Sequence, residues 1–243
     1  MICRLNIFAE MVRKLFRPLV IITILYSLSA VISSCTQDAY DKGEGKYSLM
    51  RGDFVEAQID ASKQIVSITT DDDEMLPLVN PYSANWITKG DTLYRCMLYY
   101  NKVETAKGKY AAEVLSVGQV PCPSLKHWAD FKEKYRTDPV KFESLWLSKS
   151  GKYLNLYMLL KTGVTEDTTA VHRLAFISDT IMVNNDETRS HHIVLHHDQN
   201  KVPEYYSTKV YVSIPVSAIA ADSVSIWMNT YDGPVSRTLP LHK

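Results

Sequence analysis

Short runs of alternating apolar and polar residues recur along the chain, separated by polar breaks. The alternation is cleanest in two C-terminal runs, 207–216 and 222–230. In an extended segment successive side chains point to opposite faces, so each run has one apolar and one more polar face. Their apolar positions are Val210, Val212, Ile214, Val224, Ile226 and Met228, and the opposite positions include Tyr211, Ser213, Ser225, Trp227 and Asn229. This pattern is typical of antiparallel sandwich sheets and predicts an all-β fold.

A break in this strand pattern predicts two domains. Four or five strand-like runs within residues 52–122 suit a small barrel or sandwich. The next segment has prolines near both ends and an aromatic stripe at near-helical spacing, so we expect a connector with a short amphipathic helix at residues 123–139. Its stripe consists of Leu125, Trp128, Phe131 and Tyr135. The remaining alternating runs predict a second β-domain at residues 140–243.

The N-terminal segment has the organisation of a secretory signal: a basic front, an apolar body and small residues before Cys35. Ile32-Ser33-Ser34-Cys35 resembles a bacterial lipobox. In such signals the cysteine thiol carries lipid and the chain is cut before it, which implies a signal peptide at residues 1–34 and a flexible tether at 35–51. We therefore expect a lipid-anchored protein of the bacterial cell envelope, at the outer membrane.

A retained membrane helix is the alternative, because no charged residue lies between Arg17 and Asp38. The serines that dilute the end of this apolar run favour cleavage.

The charge balance argues against nucleic acid as a partner. The chain has 27 basic and 27 acidic residues. Four basic residues and one acidic residue precede Cys35, which leaves 23 basic and 26 acidic side chains after the expected cleavage. A nucleic-acid-binding surface needs a basic stripe to neutralise phosphates.

Two of the four cysteines, Cys96 and Cys122, remain once residues 1–34 are removed and Cys35 is acylated. In an oxidising envelope they are candidates for a disulfide. Two unpaired thiols that pack as small hydrophobic groups are equally compatible with the sequence.

Several segments together resemble the NigD-like lipoproteins of Gram-negative envelopes. They are GDFVEAQI, DDDEMLPLVN, KGDTLYRCMLYY, DPVKFESLWLSKSGKYLNLYM and HHIVLHHDQN with YYSTKVYVSIPV, spanning about residues 52–227. The resemblance implies an OB-like barrel followed by a β-sandwich, and an association with bacteriocin loci that suggests an immunity role. It brings no catalytic residues. The chain has Asp73-Glu74 where the family pattern leads us to expect a glycine-rich turn.

Two segments invite a metal hypothesis, and neither is supported by its spacing. HHIVLHH holds four of the seven histidines, but in a strand His192 and His196 would lie roughly 13 Å apart, too far for one ion. The acidic run Asp71-Asp72-Asp73-Glu74 lacks the alternating ligands and glycine of an EF-type calcium loop. We predict no metal and no cofactor.

No nucleophile motif is present, so we expect no enzyme. Trp227 and Tyr211 are the candidate ligand-binding residues, because amphipathic rings on polar strand faces meet sugars or partners. The preferred hypothesis is a non-catalytic envelope protein that binds a protein partner, in a bacteriocin-immunity type of role. A glycan-binding accessory lipoprotein is the alternative, and an envelope hydrolase is the third.

Overall fold

The first half of the molecule is a closed five-stranded barrel. The computed structural model describes residues 45, 47–130 and 135–241. The barrel strands are β1 (Arg51–Ile59), β2 (Ile65–Thr70), β3 (Met75–Tyr82), β4 (Thr92–Ala106) and β5 (Lys109–Gln119). They follow the order β1-β2-β3-β5-β4, and β4 pairs with β1 to close the barrel. Only β3 and β5 pair in parallel among these strands, so the OB-like barrel implied by the sequence resemblance is confirmed.

Alternate residues of the barrel strands fill its interior. Val55, Ala57 and Ile59 of β1 are fully buried, as are Leu98 and Tyr100 of β4. Each large aliphatic side chain buried in this way stabilises the fold by roughly 1.5–3 kcal/mol. The period of two that predicts the strands therefore also identifies the barrel core.

Two tight turns of the barrel require residues with positive φ. Gly108, in the β4–β5 hairpin, has φ 73°, which a residue without Cβ adopts at no steric cost. Asp73, after β2, has φ 59°. An aspartate tolerates this left-handed conformation better than most residues do, which explains how the loop dispenses with the expected glycine.

The second half is a β-sandwich of eight strands in two sheets. Its strands are β6 (Leu125–His127), β7 (Lys141–Leu147), β8 (Tyr153–Thr162), β9 (Arg173–Val183), β10 (Arg189–Asp198), β11 (Tyr206–Pro215), β12 (Ser223–Thr230) and β13 (Gly233–Pro240). One sheet has the order β13-β12-β10-β9-β6 and the other β11-β8-β7. The three-stranded sheet is antiparallel, whereas the five-stranded sheet is mixed, because β10 pairs with β12 and β6 with β9 in parallel. The all-β sandwich is confirmed, but the prediction of antiparallel sheets was wrong for the five-stranded sheet, where β6 and β12 each pair with a neighbouring strand in parallel.

The sandwich core lies between the facing sides of the two sheets. Its fully buried side chains include Leu154, Phe176, Ile193 and Ile226. The predicted apolar faces of the C-terminal runs contribute to it: Val212, Ile214, Val224, Ile226 and Met228 are buried, and Val210 is partly buried against the same cluster.

The connector differs from the predicted amphipathic helix. Residues 125–127 form β6, which pairs with β9, and Trp128–Asp130 form a single turn of 3₁₀-helix. Leu125 packs on the sandwich core, so backbone pairing at the sheet edge takes precedence over the helical spacing of the sequence. Residues 131–134, including the predicted Phe131 position, lie outside the described residues. A second 3₁₀ turn, Val216–Ala218, follows β11.

The described part of the chain contains no helix with the length and apolar character needed to cross a membrane. The predicted signal peptide, Cys35 and most of the predicted tether lie outside the described residues.

Candidate binding cleft on the outer face of the sandwich

The outer face of the five-stranded sheet, which is the face turned away from the sandwich core, carries Trp227. Cross-strand pairing sets Trp227 of β12 beside Val194 of β10 and Ser236 of β13. The neighbouring row holds Ser225 and His192. The intervening residues of β12 all lie in the core, as the alternation predicts. Trp227 thus stands in a row of polar and small apolar groups on the outer sheet face, where it is partly exposed and Ser225 is buried.

The connector crosses one end of this outer face. The backbone N–H of Arg136 donates to His196 Nδ1 at 3.1 Å. The side-chain amide of Asn229 donates to the carbonyl of Thr137 at 2.7 Å. These bonds tie the connector to β10 and β12, and they leave Tyr135 at the border between the covered and the open part of the face.

An open cleft of about 360 Å³ lies at this border. Its lining includes Tyr135, Asp179, His192, Val194, Trp227 and Ser236. The ring of Tyr135 is packed edge-on by Trp128, with 4.9 Å between ring centroids. Two half-exposed aromatic residues therefore stand next to a cleft that has Trp227 in its lining.

Asp179 reaches the cleft from an irregular position in β9. Ser178 pairs with Ile193 and Thr180 pairs with His192, so Asp179 is the extra residue of a β-bulge. A bulge leaves its extra residue unpaired and redirects its side chain. Burial raises the pKa of Tyr135, and the negative charge of Asp179 raises it further. The phenol therefore remains a hydrogen-bond donor, while the carboxylate is an acceptor on the same cleft.

The polar groups of the cleft can bind a ligand. The hydroxyl of Ser225 accepts a hydrogen bond from Thr238 Oγ1 at 3.1 Å. The closest serine–histidine pair among the described residues, Ser178 Oγ and His191 Nε2 at 2.8 Å, involves a buried histidine. A substrate cannot reach that pair as a catalytic dyad requires.

Tyr211, the other candidate ligand-binding residue, lies on the other sheet. Its ring stacks on Tyr157 with centroids 4.7 Å apart and meets Phe54 of the barrel edge-on at 5.3 Å. Phe54 also packs edge-on against Trp146 at 5.6 Å. The structure therefore does not bring Tyr211 and Trp227 together: Tyr211 belongs to the joint between barrel and sandwich.

Arg95 of β4 is the polar centre of this joint. It is 5% exposed and binds both carboxylate oxygens of Asp71 at 2.7 Å. Its guanidinium lies 4.2 Å from the centroid of the Tyr153 ring. It also donates to Asn155 Oδ1 at 3.4 Å, and Ser213 Oγ donates to the same oxygen at 2.7 Å. Arg95 thus links the barrel to β8 and β11. The only sequence signal for this role is the position of Arg95 within the apolar part of β4.

The acidic run after β2 faces the β7–β8 hairpin of the sandwich. Asp72 pairs with Lys149 at 2.9 Å, and Asp73 lies 3.7 Å from Lys152. These contacts raise the pKa of both lysines, chiefly through hydrogen bonds from Lys149 to Asp72 and from Lys152 to Glu56. The run therefore joins domains. Beside it lies a second cleft, of about 240 Å³, whose lining includes Asp72, Phe54 and Trp146.

The histidines of β10 are divided between the two faces of the sheet, because successive side chains of a strand point to opposite faces. His191 and His197 point inward, whereas His192 and His196 lie on the outer face. His197 Nε2 is 3.1 Å from His172 Nδ1, and its Nδ1 contacts the carbonyl of Asp138 at 3.0 Å. Burial lowers the pKa of both His197 and His172. No group of three potential ligands converges among the described residues.

Cys96 and Cys122 are both free thiols in the structure. The Cys96 thiol donates to the carbonyl of Tyr94 at 3.6 Å and the Cys122 thiol to that of Val120 at 3.7 Å. Desolvation raises the pKa of the buried Cys96 to about 12, and that of Cys122, whose residue is exposed, to about 11, so both thiols are mainly protonated at neutral pH. A bridge between them in the oxidised protein stays a prediction.

The sequence of the sandwich matches a known family of domains. It matches the family described as the NigD-like C-terminal beta sandwich domain over residues 123–240. Residues 123–240 form a NigD-like domain. The predicted family resemblance is confirmed, and the Trp227 cleft lies within this NigD-like domain. No curated protein shows significant similarity to the chain.

Solved structures of bacterial proteins share this fold. A NigD-like immunity protein from Bacteroides caccae ATCC 43185 has a TM-score of 0.61 and 21% identity, over 77% of this chain and 91% of its own. A protein provisionally named a lipoprotein, from Bacteroides fragilis NCTC 9343, has a TM-score of 0.56 and 12% identity, over 80% of this chain and 98% of its own. At these identities the likeness concerns the fold of barrel and sandwich.

Sequence reasoning found Trp227 but missed its neighbours in the cleft. Tyr135 belongs to the aromatic stripe that predicts a helix, and His192 belongs to the segment that suggests a metal site. Asp179 carried no signal, because a bulge depends on strand register rather than on local sequence.

Proposed function

We propose that this chain is a non-catalytic, lipid-anchored protein of the bacterial cell envelope that binds a protein partner through the Trp227 cleft. The observation that carries the proposal is the set of exposed aromatic residues around this cleft. Trp128 is 50% exposed and Tyr135 is 38% exposed. Trp and Tyr are enriched at the energetic centres of protein interfaces. Asp179 and His192 add polar groups that can fix the orientation of a partner.

An immunity role would make this partner a toxin-like protein. The support is the NigD-like domain together with a structural neighbour named as a NigD-like immunity protein. Placement at a membrane surface fits protection against a toxin that acts at the envelope.

Partner capture by the chain lacking residues 1–35 tests the cleft. We expect an envelope protein to bind the wild-type protein and to be lost with Trp227→Ala. The matched control is Tyr205→Ala, which removes another exposed aromatic ring, 79% accessible, outside the cleft. Equal capture by all three proteins would refute the assignment.

A fatty-acid probe tests the proposed anchor. The wild-type protein expressed in its bacterial host should be labelled, and Cys35→Ala should remain unlabelled. Labelling of the Cys35→Ala protein would remove the basis for the envelope anchor.

A glycan is the second candidate ligand, and the dimensions of the same cleft favour it. A volume of about 360 Å³ is within the range of small-molecule sites, and a sugar ring stacks on an indole. Calorimetric titration with envelope and host glycans, repeated with Trp227→Ala, separates the candidates. Sugar binding that depends on Trp227, without any captured protein, would replace the protein partner.

A further inference from the structure

We propose that the cleft receives an arginine side chain of the partner, with the guanidinium over Trp227 and against the Asp179 carboxylate. This inference rests on the proposed function, because it names the chemistry of the group that enters the same cleft.

The first argument is the unbalanced charge of Asp179. Among the described residues its carboxylate forms no salt bridge, and its hydrogen-bond donor is the Thr180 hydroxyl at 3.4 Å. In contrast, Asp71, Asp72 and Asp73 each meet a basic side chain. Asp179 is therefore an acid of the sandwich surface that lines a cleft and has no cation beside it among the residues that the structure describes.

The second argument is the aromatic lining around that carboxylate. Trp227 and Tyr135 line the same cleft as Asp179, and Tyr135 is close enough for the carboxylate charge to raise its pKa. A cation over an indole face is attracted by the ring quadrupole, most strongly at tryptophan. The combination of an aromatic face and an acid matches a cation that is also planar.

The third argument separates arginine from the alternatives. Guanidinium is flat, stacks on aromatic rings and gives a carboxylate two parallel hydrogen bonds, whereas the lysine ammonium acts as a point charge. A neutral side chain would bury Asp179 in the complex without a partner, which weakens binding. Arginine is the one side chain that satisfies both the ring and the carboxylate.

The same protein already contains this arrangement in its joint. Arg95 lies over the Tyr153 ring at 4.2 Å and binds Asp71 through two bonds of 2.7 Å. The cleft offers the ring and the acid of that arrangement and leaves the arginine to be supplied from outside.

The experiment titrates the folded protein with capped single residues and follows the indole N–H signals by NMR. The probes are Nα-acetyl-arginine methylamide, the lysine equivalent and the citrulline equivalent, which is a neutral analogue of arginine. Trp227→Phe assigns the Trp227 signal among the four tryptophans.

We expect the arginine probe to shift the Trp227 signal saturably, with a dissociation constant on the order of millimolar. Citrulline should bind about tenfold more weakly, because it lacks the charge that strengthens hydrogen bonds to a carboxylate. Lysine should fall between the two.

Two variants locate the effect. Asp179→Asn keeps the shape of the side chain and should weaken arginine binding to the citrulline level. Asp232→Asn removes the same charge from the exposed β12–β13 turn and should bind arginine like the wild type. The remaining NMR signals verify that each variant is folded.

Citrulline binding equal to arginine binding, or full arginine binding by Asp179→Asn, would overturn the inference. If no capped residue shifts Trp227 while Trp227→Ala still abolishes partner capture, the inference fails and the proposed function stands. If Trp227→Ala leaves capture unchanged, the proposed function fails and the inference fails with it.

Discussion

The outer faces of the two sandwich sheets carry similar aromatic and polar residues, but one face is covered by the barrel and the other borders an open cleft. On the three-stranded sheet, Tyr211 and Ser213 alternate with core residues and are covered by the barrel. On the five-stranded sheet, Ser225 and Trp227 alternate in the same way and border an open cleft. An aromatic and polar strand face is therefore suited both to joining domains and to binding a partner, and the position of the barrel decides which of the two occurs.

The two faces also differ in how their charges are matched. At the joint, Arg95 satisfies Asp71, and Tyr153 donates to Glu56 across the domains at 2.8 Å. At the cleft, Asp179 has no basic partner among the described residues. The joint therefore has its acidic groups matched by hydrogen-bond donors, whereas the exposed Asp179 carboxylate can accept a cation from a partner.

The largest expected effect is the loss of stability on removing Arg95 from the joint. Arg95→Ala leaves Asp71 without its cation, and breaking a buried pair typically costs about 3 kcal/mol or more. Urea unfolding followed by tryptophan fluorescence measures this loss. Arg95→Lys should recover only part of it, since lysine makes no bidentate bond. A loss below about 1 kcal/mol, the range of an exposed pair, would show that the joint does not depend on Arg95.

The second largest effect is the difference in stability loss between Tyr211→Ala and Trp227→Ala. Tyr211→Ala removes a ring packed on Tyr157 and Phe54, for which we expect a loss of about 2 kcal/mol in unfolding free energy. Trp227→Ala should cost less than about 1 kcal/mol, because its ring borders an open cleft. The order should reverse for partner binding. Equal stability losses would mean that the outer face at Trp227 is as tightly packed as the joint.

Acid should weaken the sandwich through its buried histidines. Burial lowers the pKa of His191 and His197 below the ordinary histidine value of 6.5. As the pH falls, these side chains therefore bind protons in the unfolded chain before they do so in the folded protein. Stability is therefore constant above pH 6.5 and decreases as the pH falls from 6.5 towards the folded-state pKa values. Each histidine contributes a slope of at most ~1.4 kcal/mol per pH unit. Urea midpoints between pH 7.5 and 5 test this, and His197→Gln should make the decrease shallower.

The smallest effect is expected at the exposed ion pair of the joint. Lys149 is 75% accessible at its side chain and pairs with Asp72, which is 60% accessible. Solvent and salt screen such a pair, so Lys149→Ala should leave the urea midpoint unchanged. A shift as large as that of Arg95→Ala would show that this surface ion pair stabilises the joint as much as Arg95 does.

The alternating pattern predicts the strands and the faces to which their side chains point. It also predicts that the extended conformation of β10 keeps its histidines apart. It could not predict which outer face the barrel covers, since this depends on strand order. The helix predicted from the spacing of Leu125 and Trp128 was wrong, because Leu125 lies in β6 and pairs with β9 at the edge of the sheet. The bulge that turns Asp179 towards the cleft arises from register between strands, and no local pattern encodes it.

Site-specific photo-cross-linking in the native bacterium tests the binding role of the Trp227 cleft most directly. A photoreactive amino acid at Ser236, on the rim of the cleft, should cross-link to one defined envelope protein. The same residue at Tyr205 should not, and Trp227→Ala should abolish the cross-link from Ser236. Cross-links of equal strength from Tyr205, or a Ser236 cross-link that persists in Trp227→Ala, would contradict the assignment of this face as the partner-binding surface.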